Sequence, residues 1–201
     1  MKKSFSLLLT LTLMLSVIFC GLADKADSDK EILLDEAGSL NDQDSKSKTL
    51  PNTRWDDVVS KLGALGLEGD FYALNGMDMA FWVPSFLIPD DIGLTYEETH
   101  ALAAFHAVDN ARSFIVSYYP LKVENIIEFA GVMDELGAEE IRLIIVNDLP
   151  ACSFVYDNVF HVSFFVEGGY IFSFDFEPAS NQEFRTTANF IVSSVQKIER
   201  K

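Results

Sequence analysis

The chain has 201 residues, of which 31 are acidic and 15 are basic, so its formal net charge is −16. A chain this acidic repels phosphate backbones and gains nothing from counterion release, which argues against nucleic-acid binding. With 49% apolar residues it has enough material for one ordinary hydrophobic core, but its length does not predict two domains.

The N-terminus has the pattern of an export signal. Two lysines precede an uncharged apolar run from Phe5 to Cys20, and small residues follow at Gly21 and Ala23. We therefore predict a signal peptide over residues 1–23 and a secreted protein. The apolar run is short for a membrane span and no other stretch is long enough, so we expect no transmembrane segment in the mature chain.

Cys20 supports an alternative in which the chain is a lipoprotein on the outer face of the cytoplasmic membrane. Val17 stands three positions before it, as in a lipidation signal. Phe19, however, occupies the position directly before the cysteine, where Gly, Ala or Ser is usual. The sequence therefore favours simple secretion.

Residues 24–52 are rich in Asp, Ser and Lys and contain one short apolar island, Ile32 to Leu34. Such a segment cannot bury enough apolar surface to offset its ordering entropy, so we predict a disordered acidic tether. Residues 53–201 are predicted to form a single domain. Removal of the signal would take away two lysines and no acid, and would change the net charge from −16 to −18.

The domain is predicted to begin with a helix and a hairpin. Thr53 is the predicted N-cap of the helix. Asn75-Gly76, between two apolar runs, predicts the tight turn of the hairpin. The helix stripe consists of Trp55, Val58, Val59 and Leu62, and Gly63 and Gly66 follow it.

The next stretch allows two interpretations. Thr95 and Glu98 form a capping-box pattern, which predicts at least one helical turn. Residues 101–108 either continue that helix or form a strand that turns through Asp109-Asn110 into the apolar run 113–119. We favour the hairpin.

The second half predicts a helix, four strands and a last helix. Apolar residues at helical spacing between Val123 and Met133 are followed by Gly137, where a C-terminal glycine belongs. Ser180 and Glu183 form a second capping box at the start of the last helix. The predicted strands are 141–146, 151–156, 159–166 and 170–177, separated by Asp148 to Pro150, Asp157-Asn158 and Gly168-Gly169.

Cys152 and His161 suggest a nucleophile and its base. A two-residue turn at Asp157-Asn158 pairs Phe154 with His161 and Cys152 with Ser163, because the length of a hairpin turn determines which residues lie opposite each other. Cys152 and His161 then share one face of the sheet as diagonal neighbours. A Cys/His-dependent hydrolase or transferase is therefore an alternative that the geometry allows.

The predicted surroundings of Cys152 argue against catalysis. A turn at Gly168-Gly169 places Phe172, Phe174 and Phe176 on the same face, and so aromatic a face is normally covered by a helix. Burial in apolar surroundings raises the pKa of a thiol and makes it inert. Since residues 151–177 also contain no Lys or Arg, we predict a buried core thiol and no enzyme.

The opposite face of these strands is also apolar, so the sheet is expected to be covered on both sides. The three amphipathic helices can supply the covers. The sequence therefore predicts an α/β (α+β) protein, an α/β/α sandwich with a mainly antiparallel sheet. If one side were only partly covered, its aromatic residues would form a binding surface instead.

Metal and cofactor sites have little support. His100 and His106 are six residues apart, which matches no usual zinc spacing. Two acidic pairs offer a calcium alternative, but we interpret them as a solvated loop and a helix start. We predict no metal and no cofactor. The acidic pairs are Asp90-Asp91 and Glu97-Glu98.

Five segments together have a familiar pattern: Met79 to Leu87, Val123 to Gly137, Val146 to Tyr156, Gly168 to Pro178 and Asn181 to Gln196. They resemble the small exported proteins of the PsbP and DcrB superfamily, most closely the uncharacterised secreted proteins of anaerobic Gram-positive bacteria. Asp148 stands where the pattern usually has Gly. The resemblance implies a PsbP-like sandwich and a non-catalytic accessory role near a membrane or a protein complex, and it transfers no catalytic residue.

The predicted function is that of a secreted, non-catalytic accessory or ligand-binding domain. Its partner would be an envelope or secreted protein, or a small ligand. Trp82, Tyr118 and Tyr156 are the candidate contacts, because Trp and Tyr combine apolar area with a polar group. The alternatives are the Cys152/His161 enzyme and a calcium-dependent surface module.

Overall fold

A computed structural model of the protein describes residue 50 and residues 52–74, 77–91, 100–166 and 168–198. The predicted signal peptide, Cys20, nearly all of the predicted tether, the Asn75-Gly76 turn and the Thr95 to Glu98 capping box lie outside these residues. They stay predictions.

The described residues form three α-helices, one short 3₁₀ turn and eleven strands. The helices are α1 (Trp55–Leu62), α2 (Ile126–Glu135) and α3 (Gln182–Ser193), and the 3₁₀ turn is Gly63–Leu65. The strands are β1 (Asn52–Thr53), β2 (Gly69–Ala73), β3 (Met79–Pro84), β4 (Leu87–Pro89), β5 (Ala101–Ala107), β6 (Ser113–Pro120), β7 (Glu139–Val146), β8 (Leu149–Tyr156), β9 (Val159–Val166), β10 (Tyr170–Glu177) and β11 (Gln196–Lys197).

Two sheets organise these strands. The large sheet has the order β1-β7-β8-β9-β10-β6-β5-β4, and the small sheet has the order β11-β3-β2. All pairs are antiparallel except β1 with β7. The hairpins predicted at β2–β3 and β5–β6 are confirmed, although the sequence did not predict that β2 and β3 form a separate sheet.

Elements on both sides cover the large sheet, which confirms the predicted α/β class with a mainly antiparallel sheet. Helix α2 packs on β7 and β8, and we call this side the α2 face. Helix α3 and the small sheet pack on the other side, which we call the α3 face. Each face has its own hydrophobic cluster.

Asparagine side chains begin two of the helices. Asn125 accepts hydrogen bonds from the backbone N–H groups of Ile127 (3.0 Å) and Glu128 (2.9 Å) at the start of α2. Asn181 accepts from the N–H of Phe184 (3.0 Å) at the start of α3, so the cap is one residue later than the predicted Ser180. These caps satisfy donors that the first helical turn leaves unpaired.

Helix α1 begins differently from the prediction. Thr53 belongs to β1 and does not cap the helix, and the N-cap position is Arg54, which makes no side-chain cap. The N–H of Trp55 donates instead to Asn147 Oδ1 at 3.1 Å, from the turn between β7 and β8. A distant residue therefore replaces the local cap.

Two tight turns connect β7, β8 and β9. Asn147-Asp148 and Asp157-Asn158 all have positive φ, between 47° and 65°, as two-residue type I′ hairpin turns require. Leu149 and Pro150 belong to β8, so the predicted break at Asp148 to Pro150 was too long. Within the described ranges, none of the helices is long and apolar enough to cross a membrane.

Candidate functional site

The pairing of β8 with β9 places Cys152 and His161 as the sequence predicted. Cys152 pairs with Ser163 and Phe154 pairs with His161 across the Asp157-Asn158 turn. Cys152 and His161 therefore lie on the same side of the sheet. This side is the α2 face, because Cys152 and Phe154 belong to its cluster.

The pairing of β9 with β10 differs from the prediction by one residue. Val166 pairs with Tyr170, so three residues connect the strands and not two. A shift of one residue moves every side chain of a strand to the other face. Phe172, Phe174 and Phe176 consequently lie on the α3 face, and the prediction that they share a face with Cys152 was wrong.

The same shift brings Asp175 opposite His161 and Ser173 opposite Ser163. Strand β10 lies between β9 and β6, and Ser117 of β6 pairs with Ser173. We call these five residues the polar cluster. None of them is more than 7% exposed.

Hydrogen bonds connect all members of the polar cluster. Asp175 Oδ1 lies 2.7 Å from His161 Nδ1 and accepts from Ser173 Oγ at 2.6 Å, while Oδ2 accepts from Ser117 Oγ at 3.1 Å. The hydroxyl oxygens of Ser163 and Ser173 are 2.9 Å apart. Because the hydroxyl hydrogen of Ser173 is already used in the bond to Asp175, the hydroxyl of Ser163 must be the donor in the bond between the two serines.

The histidine of the polar cluster has one satisfied nitrogen and one unsatisfied nitrogen. Nδ1 of His161 shares a hydrogen bond with Oδ1 of Asp175, and a carboxylate at this position makes Nδ1 the donor. Nε2 is buried and has no hydrogen-bond partner among the described residues. The ring stacks on Phe154 with a centroid separation of 4.6 Å.

Cys152 does not complete a catalytic arrangement with this pair. Its side chain is fully buried, and desolvation raises the pKa of the thiol to about 12. The unsatisfied Nε2 of His161 makes no hydrogen bond to the sulfur. The orientation of His161 by Asp175 resembles that of a catalytic base, but a thiol in this state is not a nucleophile at neutral pH.

Tyr119 lies next to the polar cluster on β6. Burial raises the pKa of its hydroxyl, and the negative charge of Asp175 raises it further. Both causes favour the neutral phenol. Tyr119 is therefore a neutral neighbour of the Asp175 carboxyl group.

The three predicted contact residues have different surroundings. Trp82 lies in the core and is 4% exposed, so it offers little surface to a partner. Tyr118 is partly buried, and its ring stacks on Tyr170 at 4.9 Å. Tyr156 is partly buried beside the α2-face cluster. A contact role for Tyr118 and Tyr156 stays a prediction.

The acidic pairs of the calcium alternative are only partly described, because Glu97 and Glu98 lie outside the described residues. Asp90 Oδ1 is 2.9 Å from Nδ1 of His106, which makes the pair an ionic contact when the histidine is protonated. Nδ1 of His106 makes no hydrogen bond within the described residues, so this contact is one of proximity only. The part of the chain that the structure describes contains no group of three His, Cys, Asp or Glu side chains that could hold a metal ion.

Sequence reasoning missed an apolar surface near the start of the domain. Phe71 of β2 is 45% exposed, and its ring packs against Trp55 in a T-shaped arrangement with a centroid separation of 5.9 Å. Val59 and Leu65 in the preceding helical segment are also exposed. The large apolar side chains exposed among the described residues are Val59, Leu65, Phe71, Ile88, Val108 and Leu149.

Comparison with known proteins finds similar chains among the solved structures only. No protein-family model matches the chain, and no curated protein matches it. The chain is similar to the solution structure of the cyanobacterial PsbP (CyanoP) from Synechocystis sp. PCC 6803, with 13% sequence identity and a TM-score of 0.45. The match covers 64% of this chain and 92% of that chain. A likeness at this level carries no information on function, and the resemblance to DcrB and to proteins of Gram-positive bacteria stays a prediction.

Proposed function

We propose that the protein is a non-catalytic accessory domain that binds a partner protein outside the cytoplasm. The observation that carries this proposal is the apolar surface of α1 and β2. Three of the six exposed large apolar side chains fall within residues 59–71. Trp55 packs against Phe71, and Val59 lies one helical turn after Trp55, so exposed apolar side chains of α1 and β2 border one surface, which favours an interaction role.

The state of Cys152 supports a non-catalytic role. A thiol whose pKa is raised to about 12 by burial has almost no thiolate at neutral pH. We expect a maleimide reagent to leave Cys152 unmodified in the folded protein at pH 7.5 and to label it after denaturation. Rapid labelling of the folded protein would support the Cys152/His161 enzyme instead.

Partner capture tests the proposed function directly. The purified protein is immobilised and exposed to detergent-solubilised envelope and to culture supernatant of the source organism. Phe71→Lys is compared with Ile88→Lys, a matched control, because Phe71 and Ile88 are 45% and 43% exposed and both lie on short strands. We expect one protein to be enriched by the wild type and by Ile88→Lys but not by Phe71→Lys.

Two results would contradict the proposal. The first is that no protein is enriched over a heat-denatured sample. The second is that Phe71→Lys and Ile88→Lys capture the same proteins equally well, because the α1 and β2 surface would then have no role.

A further inference from the structure

The edges of the two sheets differ in how they are protected. Sheet edges carry unpaired backbone groups, and proteins protect them with very short strands, prolines or bulges. Strands β1 and β11 have two residues each, and β4 has three and ends at Pro89. Strand β2 has five residues, contains no proline and pairs with β3 without a bulge. It is therefore the least protected edge among the described strands.

Exposure on both faces of β2 agrees with an open edge. Asp70 and Phe71 point to opposite faces of the small sheet, and both are exposed. In the described part of the chain, β2 pairs only with β3. Its remaining backbone donors and acceptors are accordingly directed away from β3 and can meet an incoming strand.

The charges around β2 indicate what kind of segment fits there. Glu68 and Asp70 are exposed on or next to the strand, and no basic residue lies between residues 68 and 73. Trp55 of α1 touches Phe71. The same helix has two exposed acidic residues, Asp56 and Asp57, and only one lysine, Lys61. A basic segment is attracted to this surface, whereas a second copy of a chain with net charge −16 is repelled.

We propose that β2 accepts an extended segment of a partner protein as an additional strand. The segment has apolar side chains that pack on Phe71 and Trp55, and basic side chains that face Asp70. Backbone hydrogen bonds along the edge supply much of the affinity, and the alternation of side chains supplies the selectivity, as in other cases of strand addition. This inference rests on the proposed function, because it specifies how the partner binds.

The two tryptophans of the chain provide a direct signal for the test. Trp82 pairs with Phe71 across β2 and β3, and Trp55 lies 5.9 Å from Phe71 and 6.2 Å from Trp82. Both indoles therefore lie next to Phe71, the ring on which the added strand would pack, although Trp82 itself is buried. A strand that binds there changes the intrinsic fluorescence without any added label.

The probe is a synthetic ten-residue peptide of alternating lysine and valine, titrated into the whole protein. A fully N-methylated peptide of the same sequence keeps the charges and side chains but has no backbone donor. We expect a saturable change in tryptophan fluorescence with the first peptide and binding at least about tenfold weaker with the second, because several backbone hydrogen bonds are lost. Amide NMR shifts should concentrate in residues 69–73.

The variants separate strand addition from general attraction between opposite charges. Phe71→Lys and Ile88→Lys add the same charge, but only the first changes the docking edge. We expect Phe71→Lys to weaken peptide binding about tenfold and Ile88→Lys to leave it nearly unchanged. A peptide of alternating glutamate and valine should not bind.

Several outcomes would overturn the inference. They are equal binding of the methylated and unmethylated peptides, equal effects of the two lysine variants, or no binding of the lysine-valine peptide. If partner capture still depends on Phe71 in these cases, the proposed function stands and only the mode of binding is wrong. If no partner is captured either, the proposed function itself is wrong.

Discussion

The two faces of the large sheet are built from the same strands but are held together differently. On the α3 face, β10 presents Phe172, Phe174 and Phe176 to other aromatic rings. On the α2 face, the same strand presents Asp175, which is hydrogen-bonded to the buried His161 and accepts from Ser173. The α3 face depends on buried apolar area, which is not directional, whereas the polar cluster depends on hydrogen bonds that fail when one atom is removed.

Replacement of Phe174 should have the largest effect, because it removes area from the α3 face. Phe174 is fully buried, and its ring lies 5.2 Å from Phe172 and 5.3 Å from Phe81. We expect Phe174→Ala to lower the free energy of unfolding by about 3–5 kcal/mol, since it combines lost burial with a cavity. Denaturant unfolding measures this loss, and Phe71→Ala, which removes an exposed ring, is the control. A loss below about 1 kcal/mol would contradict the assignment of Phe174 to this core.

Removal of Asp175 tests the polar cluster. Asp175→Ala leaves His161, Ser173 and Ser117 without their acceptor. Each buried group left unpaired lowers the free energy of unfolding by up to about 1–3 kcal/mol. We expect a total loss of about 2–4 kcal/mol, because the site relaxes in part.

The double variant Asp175→Leu with His161→Phe distinguishes polar from apolar stabilisation. A buried polar pair replaced by apolar side chains of similar volume is often neutral in stability. In the same unfolding experiment, we expect the double variant to recover the part of the Asp175→Ala loss that comes from His161. It should not recover the part from Ser117 and Ser173, whose hydroxyls still lack their acceptor. Strictly additive losses would show that the hydrogen bonds themselves stabilise the fold.

Asn147 tests polar contacts at the end of the sheet, where water competes. Its side chain accepts from the N–H of Trp55 (3.1 Å) and donates to the carbonyl oxygens of Ser193 (2.6 Å) and Val195 (3.1 Å). We expect Asn147→Ala to cost about 1–3 kcal/mol in thermal or denaturant unfolding, through the lost bonds and its positive φ of 47°. Asn147→Asp should cost nearly as much, because a carboxylate cannot donate to the two carbonyls. Full stability of Asn147→Asp would contradict this account.

The smallest effect is expected at the rim of the α3 face. Arg185 binds both carboxylate oxygens of Glu140, at 3.2 Å and 2.7 Å, and its guanidinium lies over the ring of Phe160. The hydrogen bond to Arg185 lowers the pKa of Glu140 below its ordinary value of 4.5. The ion pair therefore stabilises the folded protein fully at pH values above 4.5. This stabilisation is lost as the pH falls through the lowered pKa of Glu140 in the folded state.

Glu140→Gln should lower the free energy of unfolding by no more than about 1 kcal/mol at pH 7, because this carboxylate is partly exposed. The difference from the wild type should shrink as the pH falls below 4.5. Denaturant unfolding at several pH values measures this difference in the free energy of unfolding. A difference that grows on acidification would contradict the assigned pair.

The two faces also explain which features the sequence could predict. Helices and strands follow from local periodicity, and the β8–β9 register follows from Asp157-Asn158, since a two-residue turn fixes the pairing. The β9–β10 register does not follow from Gly168-Gly169, because the pair also fits a three-residue connection. That single residue decided whether Asp175 or Phe176 lay opposite His161, and the polar cluster was missed for this reason.

The docking edge could not be predicted either. The Asn75-Gly76 signal gives the β2–β3 hairpin, but it does not tell which strand lies at the edge of a sheet or that the hairpin leaves the large sheet. Such properties arise from long-range packing, here of Tyr72 and Phe81 on Phe105. The exposure of Phe71 follows from that placement.

The strand order has a consequence for the time course of folding. Strands β7 to β10 are neighbours in both sequence and space, joined by connections of two or three residues, so their pairing closes only short loops. Pairing of β10 with β6, of β1 with β7 and of β11 with β3 closes much longer loops. During synthesis from the N-terminus, β6 therefore keeps one unpaired edge until β10, the last strand of this four-stranded unit, has been made, and the pairing of β11 with β3 comes last.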